Sequence, residues 1–210
     1  MHDYYASTPD ASGLFNSTMA ALSAQTAPDL IDVHTWDDHR LIVDVGGGLG
    51  ITLAAILRRH PRPQGIVYDR PHVAAAARQE VDRLGLASRC QVVAGDARTA
   101  VPTGDAYLFR MVLCDFPDRD AEAMLAACRR AVRAGGRLII IDKLRPPRAR
   151  TTSNARTLMS ALNLMVMTGS TERTELEYPA LLETSGWRML DLRATSALGG
   201  ELHCLRAAPR

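Results

Sequence analysis

The stretch LIVDVGGGLG occupies residues 41–50, and the apolar run ITLAAIL follows it at residues 51–57. Its first five residues are apolar and mostly β-branched apart from Asp44, which is typical of a buried strand. The glycines that follow allow positive φ and a close approach of the backbone to a ligand. The stretch therefore predicts a strand, a tight turn and the N-terminus of a helix, with Asp44 placed to accept a hydrogen bond at the strand end.

This glycine-rich turn is compatible with two kinds of ligand site. It lacks the Gly-Lys-Ser/Thr sequence of a phosphate-binding P-loop, which excludes that class of site. A dinucleotide site and the nucleoside site of S-adenosylmethionine both remain, because a glycine-rich turn alone separates them poorly. The rest of the chain has to decide between them.

Composition places the chain among ordinary globular proteins. Its 210 residues are enough for one α/β domain with a sizeable core, and 47% of them are hydrophobic and 23% charged. The formal net charge of +2 is too small for a nucleic-acid footprint, so we expect no nucleic-acid partner. We also expect no signal peptide and no membrane partner, because no basic stretch precedes an apolar one at the N-terminus and no apolar run is long enough to span a bilayer.

The four cysteines are far apart in the sequence and form no Cys-x-x-Cys pair: Cys90, Cys114, Cys128 and Cys204. This spacing indicates neither a zinc ribbon nor a disulfide framework, and we predict no metal site. The simplest interpretation is four reduced thiols in a cytoplasmic protein.

Strand and helix patterns alternate along the middle of the chain. The predicted strands are 41–45, 65–68, 90–94, 106–109 and 137–141, and the predicted helices are 51–60, 72–84 and 120–132. The strands are apolar throughout, as expected of a parallel sheet covered on both faces. Four acids stand at their carboxyl ends: Asp44, Asp69, Asp96 and Asp142. Ligands bind at this edge of such sheets, so one shared site is favoured over four separate helix caps.

The two ends of the chain are predicted to differ from this core. A helix is expected over residues 12–33, broken near Pro28 and packed on the edge of the sheet. After Asp142, helices are predicted over 156–168 and 175–184, and strands over 187–194 and 203–205. The last strand is expected to be antiparallel, because its connection is short. The organisation is then a helical lead-in over residues 1–36 and a ligand-binding domain over residues 37–210.

Six motifs occur in a fixed order along the chain: FNSTM at 15–19, VDVGGGLG at 43–50, DRPHV at 69–73, GD at 95–96, DFPD at 115–118 and ERTE at 172–175. On these motifs the chain resembles the catalytic domain of the small-molecule O-methyltransferases that include plant caffeate-type and bacterial polyketide-tailoring enzymes. The resemblance runs from Leu14 to the C-terminus. It implies an α/β, Rossmann-like class I methyltransferase fold with a seven-stranded, mostly parallel sheet and helices on both faces. It also favours S-adenosylmethionine over a nicotinamide cofactor.

By position, the resemblance also implies a set of cofactor-binding residues. They lie at or just beyond strand ends: Asp44, Gly46, Gly48, Gly50, Asp69, Arg70, Asp96, Ala97 and Arg110. The glycines would line the methionine part of the cofactor, Asp69 would hold the ribose hydroxyls, and Asp96 would accept from the adenine amine. Arg110 stands where many relatives have a Lys near the cofactor.

One departure from the family concerns the proton acceptor. Many relatives have a His before the acid that matches Asp115, and this His deprotonates the acceptor hydroxyl, whereas Cys114 stands at that position here. A phenol with a pKa near 10 is helped by a base. A thiolate could serve if its pKa fell below about 8.5, but an inert buried cysteine is the favoured interpretation. The flanking acids of the family's base remain as Asp142 and Glu172, so the predicted catalytic set is Cys114, Asp142 and Glu172.

The acceptor site and the partners complete the predictions. Asp115, Met165 and Met167 are the predicted substrate-binding residues, because methionine adapts to irregular aromatic ligands. Core packing of an amphipathic helix explains the two methionines at least as well. Relatives usually carry an additional N-terminal helical domain that builds the dimer and roofs the substrate pocket. The partner hypotheses are therefore a homodimer or a partner chain that supplies this domain.

The predicted function is transfer of a methyl group from S-adenosylmethionine to a hydroxyl of a small aromatic natural product. Holding the acceptor oxygen near attack distance would supply as much as about 7–11 kcal/mol. Two alternatives stay open at this point. One is a non-catalytic cofactor-binding subunit that needs a partner chain, and the other is different chemistry on the same substrates, such as hydroxylation or decarboxylation.

Overall fold

The computed structural model describes residues 2–145 and 155–210, with side chains described for all of these except 2, 3, 155–157 and 200. The strands of this part are β1 Leu41–Val45, β2 Gln64–Asp69, β3 Cys90–Ala94, β4 Gly104–Arg110, β5 Val132–Lys143, β6 Trp187–Ala194 and β7 Leu202–Pro209. The helices are α1 His2–Ser7, α2 Pro9–Leu30, α3 Ile51–Arg59, α4 Pro71–Arg83, α5 Asp118–Ala131, α6 Ala155–Thr168 and α7 Tyr178–Thr184. Short 3-10 helices span Trp36–Asp38, Leu113–Asp115 and Ala197–Gly200.

The strands form one sheet in the order β3-β2-β1-β4-β5-β7-β6. Strands β1 to β5 pair in parallel, whereas β7 runs antiparallel to both β5 and β6. The chain order reverses between β1 and β4, which leaves a crevice at the carboxyl ends of these two strands. The predicted α/β fold, with seven mostly parallel strands and an antiparallel last strand, is confirmed.

Alternating residues of the strands build a core on each face of the sheet. On one face Ile42 packs in a cluster with Leu53 of α3 and Val81 of α4. On the other face Val43 packs in a cluster with Leu125 of α5, and residues of α7 belong to the same cluster. Adjacent residues of β1 thus face opposite layers, as the two-residue period of a strand requires. This double cover explains why the strands are apolar throughout.

The long N-terminal helix differs from its prediction in three ways. It runs from Pro9 to Leu30, so it begins earlier and ends earlier than expected. Pro28 lies inside its last turn without ending it, and the N–H of Ile31 still donates to the carbonyl of Ala27 beyond it. The helix packs beside α3 on one face of the sheet and not on its edge, since Leu30 joins the cluster of Leu53. The domain boundary at residue 36 stays a prediction.

The remaining boundaries shift by a few residues. Strand β5 extends from Val132 to Lys143, well beyond the predicted core at 137–141, and α7 begins only at Tyr178. Helix α1 was not predicted. Among the helices that the structure describes, none combines the length and apolar character needed to cross a bilayer.

Candidate active site

A cavity lies over the carboxyl ends of β1, β2 and β4, where the strand order reverses. Its floor contains the glycine turn at 46–48 and acids that end or follow the strands. Helices α1 and α2 form its roof, in which Tyr5 stacks on Phe15 with 4.6 Å between the ring centroids. Open α/β sheets bind their ligands at this place, so this cavity is the candidate functional site.

The glycine turn shapes the floor of the cavity. Gly46, Gly48 and Gly50 have φ values of +69°, +58° and +78°, which residues with side chains rarely adopt. A Cβ added at Gly48 would meet no heavy atom within 4 Å, so the backbone there is open to a ligand. Gly50 stands apart from the cavity lining, and a Cβ there would lie 2.7 Å from Cγ2 of Val67. Its small size therefore serves the packing of the turn against β2.

Asp69, the last residue of β2, is held by backbone donors. The N–H of Gly48 donates to its Oδ2 at 2.8 Å, and the N–H of Arg70 donates to its Oδ1 at 2.7 Å. Burial raises the pKa of Asp69, and these two bonds oppose the rise. Each carboxylate oxygen keeps a further lone pair, so Asp69 can accept from the hydroxyls of a ligand. Arg70 lines the cavity beside it.

Asp44 and Arg110 face the cavity from the neighbouring strands β1 and β4. Asp44 is 2% exposed, and within the described part of the chain its Oδ2 has no hydrogen-bond partner. Burial raises the pKa of Asp44 to about 7, against the opposing charge of Arg110. The Arg110 guanidinium donates from Nη1 to Oγ of Ser23 at 2.9 Å and from Nη2 to Oγ1 of Thr26 at 2.6 Å. Arg110 thus ties α2 to the sheet, while Asp44 has an oxygen available for a ligand donor.

Asp96 and Ala97 line the cavity just after β3. Arg98 grips the Asp96 carboxylate, donating from Nη2 to Oδ2 at 2.6 Å and from Nε to Oδ1 at 3.0 Å. These bonds lower the pKa of Asp96 to about 2, so this acid is ionised throughout the physiological range. Asp96 is therefore a fixed negative charge that retains lone pairs for a ligand amine.

An acidic cluster of Asp115, Asp142 and Glu172 lies beside the far end of the cavity. Asp115 lines the cavity, and burial together with the charges of Asp142 and Glu172 raises its pKa to about 7. The hydroxyl of Tyr178 donates to Oδ2 of Asp142 at 2.9 Å, and Ser160 Oγ donates to Oε1 of Glu172 at 2.8 Å. Among the described residues, Oδ1 of Asp142 and Oε2 of Glu172 are buried without a hydrogen-bond partner. Burial also raises the pKa of Asp142, to about 6, so Asp115 and Asp142 favour holding a proton.

Cys114 is buried beside this cluster, and its Sγ lies 4.0 Å from Oδ1 of Asp115. Burial and the nearby charges of Asp142 and Asp115 raise the pKa of the Cys114 thiol well above its usual value. The three predicted catalytic residues, Cys114, Asp142 and Glu172, therefore lie together around Asp115. None of these three lines the cavity over the strand ends, whereas Asp115 does.

The two methionines predicted to bind substrate lie elsewhere. Met165 and Met167 of α6 are 52% and 47% exposed. Met165 lines a second cavity together with Glu172 and Arg173, whereas Met167 lines neither. The structure does not bring either side chain to the cavity over the strand ends.

Several polar contacts of the site were missed in the sequence, because their partners are distant along the chain. Ser23 and Thr26 contact Arg110 across more than eighty residues, and Tyr178 contacts Asp142 across 36. For Ser23 and Thr26 a weak sequence signal existed, since residues three apart on a helix share a face. Arg98 lies only two residues after Asp96 in the sequence, so their contact could have been predicted locally.

Comparison with known proteins gives consistent results. A model of the O-methyltransferase domain family matches residues 1–188. Phenazine O-methyltransferase PhzM of Lysobacter antibioticus is 35% identical over 187 residues, which are 89% of this chain and 54% of that protein. Mitomycin biosynthesis 6-O-methyltransferase of Streptomyces lavendulae is 37% identical over 182 residues, 86% of this chain and 51% of that protein.

Solved structures agree with these sequence matches. Mitomycin 7-O-methyltransferase MmcR superposes with a TM-score of 0.90 at 34% identity, over 97% of this chain and 58% of the other. The chain spans about half the length of the curated relatives it matches. The family match over most of the chain and this superposition confirm the resemblance seen in the motifs: the chain belongs to the O-methyltransferase domain family.

Proposed function

We propose that this chain binds S-adenosylmethionine and directs its methyl group to a hydroxyl of a small aromatic natural product. One observation carries the proposal: the cavity brings Asp44, Asp69 and Asp96 together over an open glycine turn. The related enzymes named above are a phenazine O-methyltransferase and a mitomycin biosynthesis O-methyltransferase, which supports an aromatic natural product as the acceptor class.

The polar groups of the cavity fit this cofactor part by part. The unpartnered Oδ2 of Asp44 suits the ammonium group of the methionine moiety, and Gly48 leaves the backbone of the turn open to it, whereas Gly46 packs against Val112. Asp69 would accept from the two ribose hydroxyls, with Arg70 on the same wall. Asp96 and Ala97 would contact the adenine, with the Asp96 charge fixed by Arg98. Arg110 would act beneath the methionine part by holding α2 in place.

The bound cofactor supplies an electrophilic methyl group on a sulfonium centre. The chain's own contribution is to bind it, to orient an acceptor oxygen towards that methyl group and to keep water out under α1 and α2. Orientation of this kind lowers a barrier by as much as about 7–11 kcal/mol, more than base assistance of about 10²–10⁴-fold. A site without the usual histidine base can therefore remain effective.

We assign Cys114, which stands where many relatives have the histidine, a packing role and not that of a base. Its burial and its acidic neighbours oppose formation of a thiolate, and the thiolate is the reactive form. Asp142 and Glu172 act on the acceptor end of the cavity through their charge. Contact of Met165 or Met167 with an acceptor remains a prediction that the exposure of both side chains does not favour.

A partner is also part of the proposal. Tyr4 of α1 and Leu14 of α2 are 58% and 72% exposed, and both adjoin residues that line the cavity, so two exposed apolar side chains lie on the roof. A second copy of this chain, or a chain carrying the N-terminal domain usual in the family, would cover them. The cytoplasmic location predicted from the cysteines is retained as part of this proposal.

Calorimetric titration with S-adenosylmethionine tests the cofactor site. We expect a one-site isotherm for the wild-type chain. Asp69→Asn should bind about 10–100-fold more weakly, because one charge-assisted hydrogen bond contributes roughly 1.5–3 kcal/mol. Asp82→Asn, which changes an exposed acid of α4, is the matched control and should bind as the wild type does.

Methyl transfer is then measured by mass spectrometry with 1-hydroxyphenazine, 2-naphthol and catechol as acceptors. A product heavier by one CH₂ unit supports methylation, whereas a gain of oxygen or a loss of carbon dioxide would favour hydroxylation or decarboxylation. Absence of cofactor binding by the wild type, or equal binding by Asp69→Asn, would contradict the proposed site. Binding without turnover of any acceptor would favour the non-catalytic subunit.

A further inference from the structure

The backbone around Asp115 is fixed at the acceptor end of the cavity. Arg173 donates from Nη1 to the carbonyl of Leu113 at 2.6 Å and from Nη2 to the carbonyl of Phe116 at 2.9 Å, on either side of Asp115. Arg173 is 5% exposed, so these bonds are shielded from water. The carboxyl group of Asp115 is thereby presented to the cavity at a defined position.

The charged groups around Asp115 are predominantly acidic. Asp142 of β5 and Glu172 of the loop after α6 act on it through their charges, and the Cys114 thiol is its neighbour in the chain. The Arg173 guanidinium also donates to Asp118, from Nε at 3.0 Å and from Nη2 at 2.8 Å to Oδ1. Across residues 2–145 and 155–210, no ion pair involves Asp115.

This arrangement disfavours three simultaneous charges. The pKa of Asp115 is raised to about 7 and that of Asp142 to about 6, in each case chiefly by burial. Burial and the neighbouring acids also raise the pKa of the Cys114 thiol well above its usual value. Near neutral pH the thiol is therefore already protonated and cannot receive a further proton. Of the groups in the cluster, Asp115 combines access to the cavity with an affinity for protons suited to neutral pH.

We propose that Asp115 is the proton acceptor for the hydroxyl that receives the methyl group, and that Asp142 and Glu172 are positioning residues that act through it. The inference rests on the proposed function. The acceptor O–H bond breaks with its proton going to a carboxylate oxygen of Asp115, and the acceptor oxygen forms the new bond to the methyl carbon. The electron pair of the broken carbon–sulfur bond stays on sulfur. The proton then leaves Asp115 for water.

The first test follows the carboxyl group itself and needs no acceptor. In ¹³C NMR of the chain with aspartate labelled at the carboxyl carbon, two resonances should titrate near pH 7, those of Asp44 and Asp115, and the Asp115 resonance is the one that vanishes in Asp115→Asn. Asp142→Asn removes a neighbouring charge and should move the midpoint of Asp115 to lower pH. Glu175→Gln, which changes an exposed acid beyond the cluster, should leave it unmoved. A midpoint below about 5, the range of ordinary carboxyl groups, would overturn the inference.

The second test measures kcat/KM against pH with 2-naphthol, a phenol that stays protonated in this range. The wild-type rate should fall about tenfold per pH unit below the midpoint. Asp115→Asn should lose this dependence and lower kcat about a hundredfold at pH 8. If the wild type is active and Asp115→Asn has the same kcat and pH profile, the role of Asp115 is overturned while the proposed function stands. A wild type inactive on every acceptor would overturn the proposed function and this role together.

Discussion

Asp96 and Asp115 line the same cavity from its two ends, and their surroundings are opposite. Arg98 holds both oxygens of Asp96 and lowers its pKa to about 2. Asp115 has two acidic neighbours, and its pKa is raised to about 7. One carboxyl group is thus a permanent charge, whereas the other exchanges its proton near neutral pH.

This difference in protonation suits Asp96 to ligand binding and Asp115 to proton transfer. A fixed charge with satisfied hydrogen bonds suits the binding of a ligand that does not change during turnover. A buried acid that gains and loses a proton near neutral pH suits a reacting hydroxyl. The same residue type serves both purposes because the environment, and not the side chain, sets the protonation state.

The largest expected effect is on stability at the Asp115 end. Because the folded pKa of Asp115 is raised, its stabilising contribution is complete below about pH 4 and is lost as the pH rises through about 7. Asp115→Asn removes the buried charge, so the variant should be more stable than the wild type by about 2–4 kcal/mol at pH 8. At pH 4 the two should unfold alike in urea. If Asp115→Asn is less stable than the wild type at pH 8, contacts in the folded protein stabilise the ionised carboxylate of Asp115, and the expectation is wrong.

A smaller effect is expected at Asp142. Tyr178→Phe removes the 2.9 Å hydrogen bond to its Oδ2, which is the strongest of the bonds that stabilise the ionised form of this buried carboxyl group. We expect a loss of about 1–3 kcal/mol in the free energy of unfolding at pH 8. The loss should shrink at pH 5, where Asp142, with a pKa of about 6, is protonated.

Tyr107→Phe is the matched control for this change. The buried hydroxyl of Tyr107 donates to the carbonyl of Pro102 at 2.8 Å, and that acceptor does not titrate. Urea unfolding should therefore show a similar loss at pH 8 and at pH 5 for this variant. An equal pH dependence in the two variants would mean that the Tyr178 bond does not act on the charge of Asp142.

The smallest effect is expected at the Asp96 end. The side chains of Arg98 and Asp96 are 37% and 35% exposed, so solvent weakens their pairing. Arg98→Ala should lower the stability at pH 7 by less than about 1 kcal/mol. Because the folded pKa of Asp96 is lowered, this contribution is present above about pH 4 and is lost as the pH falls through about 2. Acid titration of the unfolding free energy would test this, and a pH-independent loss would contradict it.

How far the sequence predicted this site depends on the distance between partners. The bounds of β1 and the acids Asp44, Asp69 and Asp96 at the cavity followed from local patterns, because strand periodicity and chain reversal place them. Asp142 was predicted at the same edge, yet it is turned away beneath Tyr178 of α7. That orientation depends on how a helix 36 residues later packs, which no local pattern encodes.

Arg110 illustrates the same limit. Its position at the end of β4 was predicted beside the cofactor, but both of its Nη atoms donate to hydroxyls of α2. The sequence pattern predicted that α2 packs on the edge of the sheet. In the structure α2 packs on one face, and this packing brings Ser23 and Thr26 to Arg110. Long-range packing therefore decides which charged group meets the ligand and which one supports the scaffold.

The tie between Arg110 and α2 has a consequence for turnover. Ser23 and Thr26 fasten the roof to the floor through one buried guanidinium, and hydrogen bonds to a charged donor contribute roughly 1.5–3 kcal/mol each. Lifting the roof requires both to break in a water-poor setting. If the chain turns over the cofactor as proposed, release of the spent cofactor requires this opening, and the helix that covers the site then limits how soon the next cycle can begin.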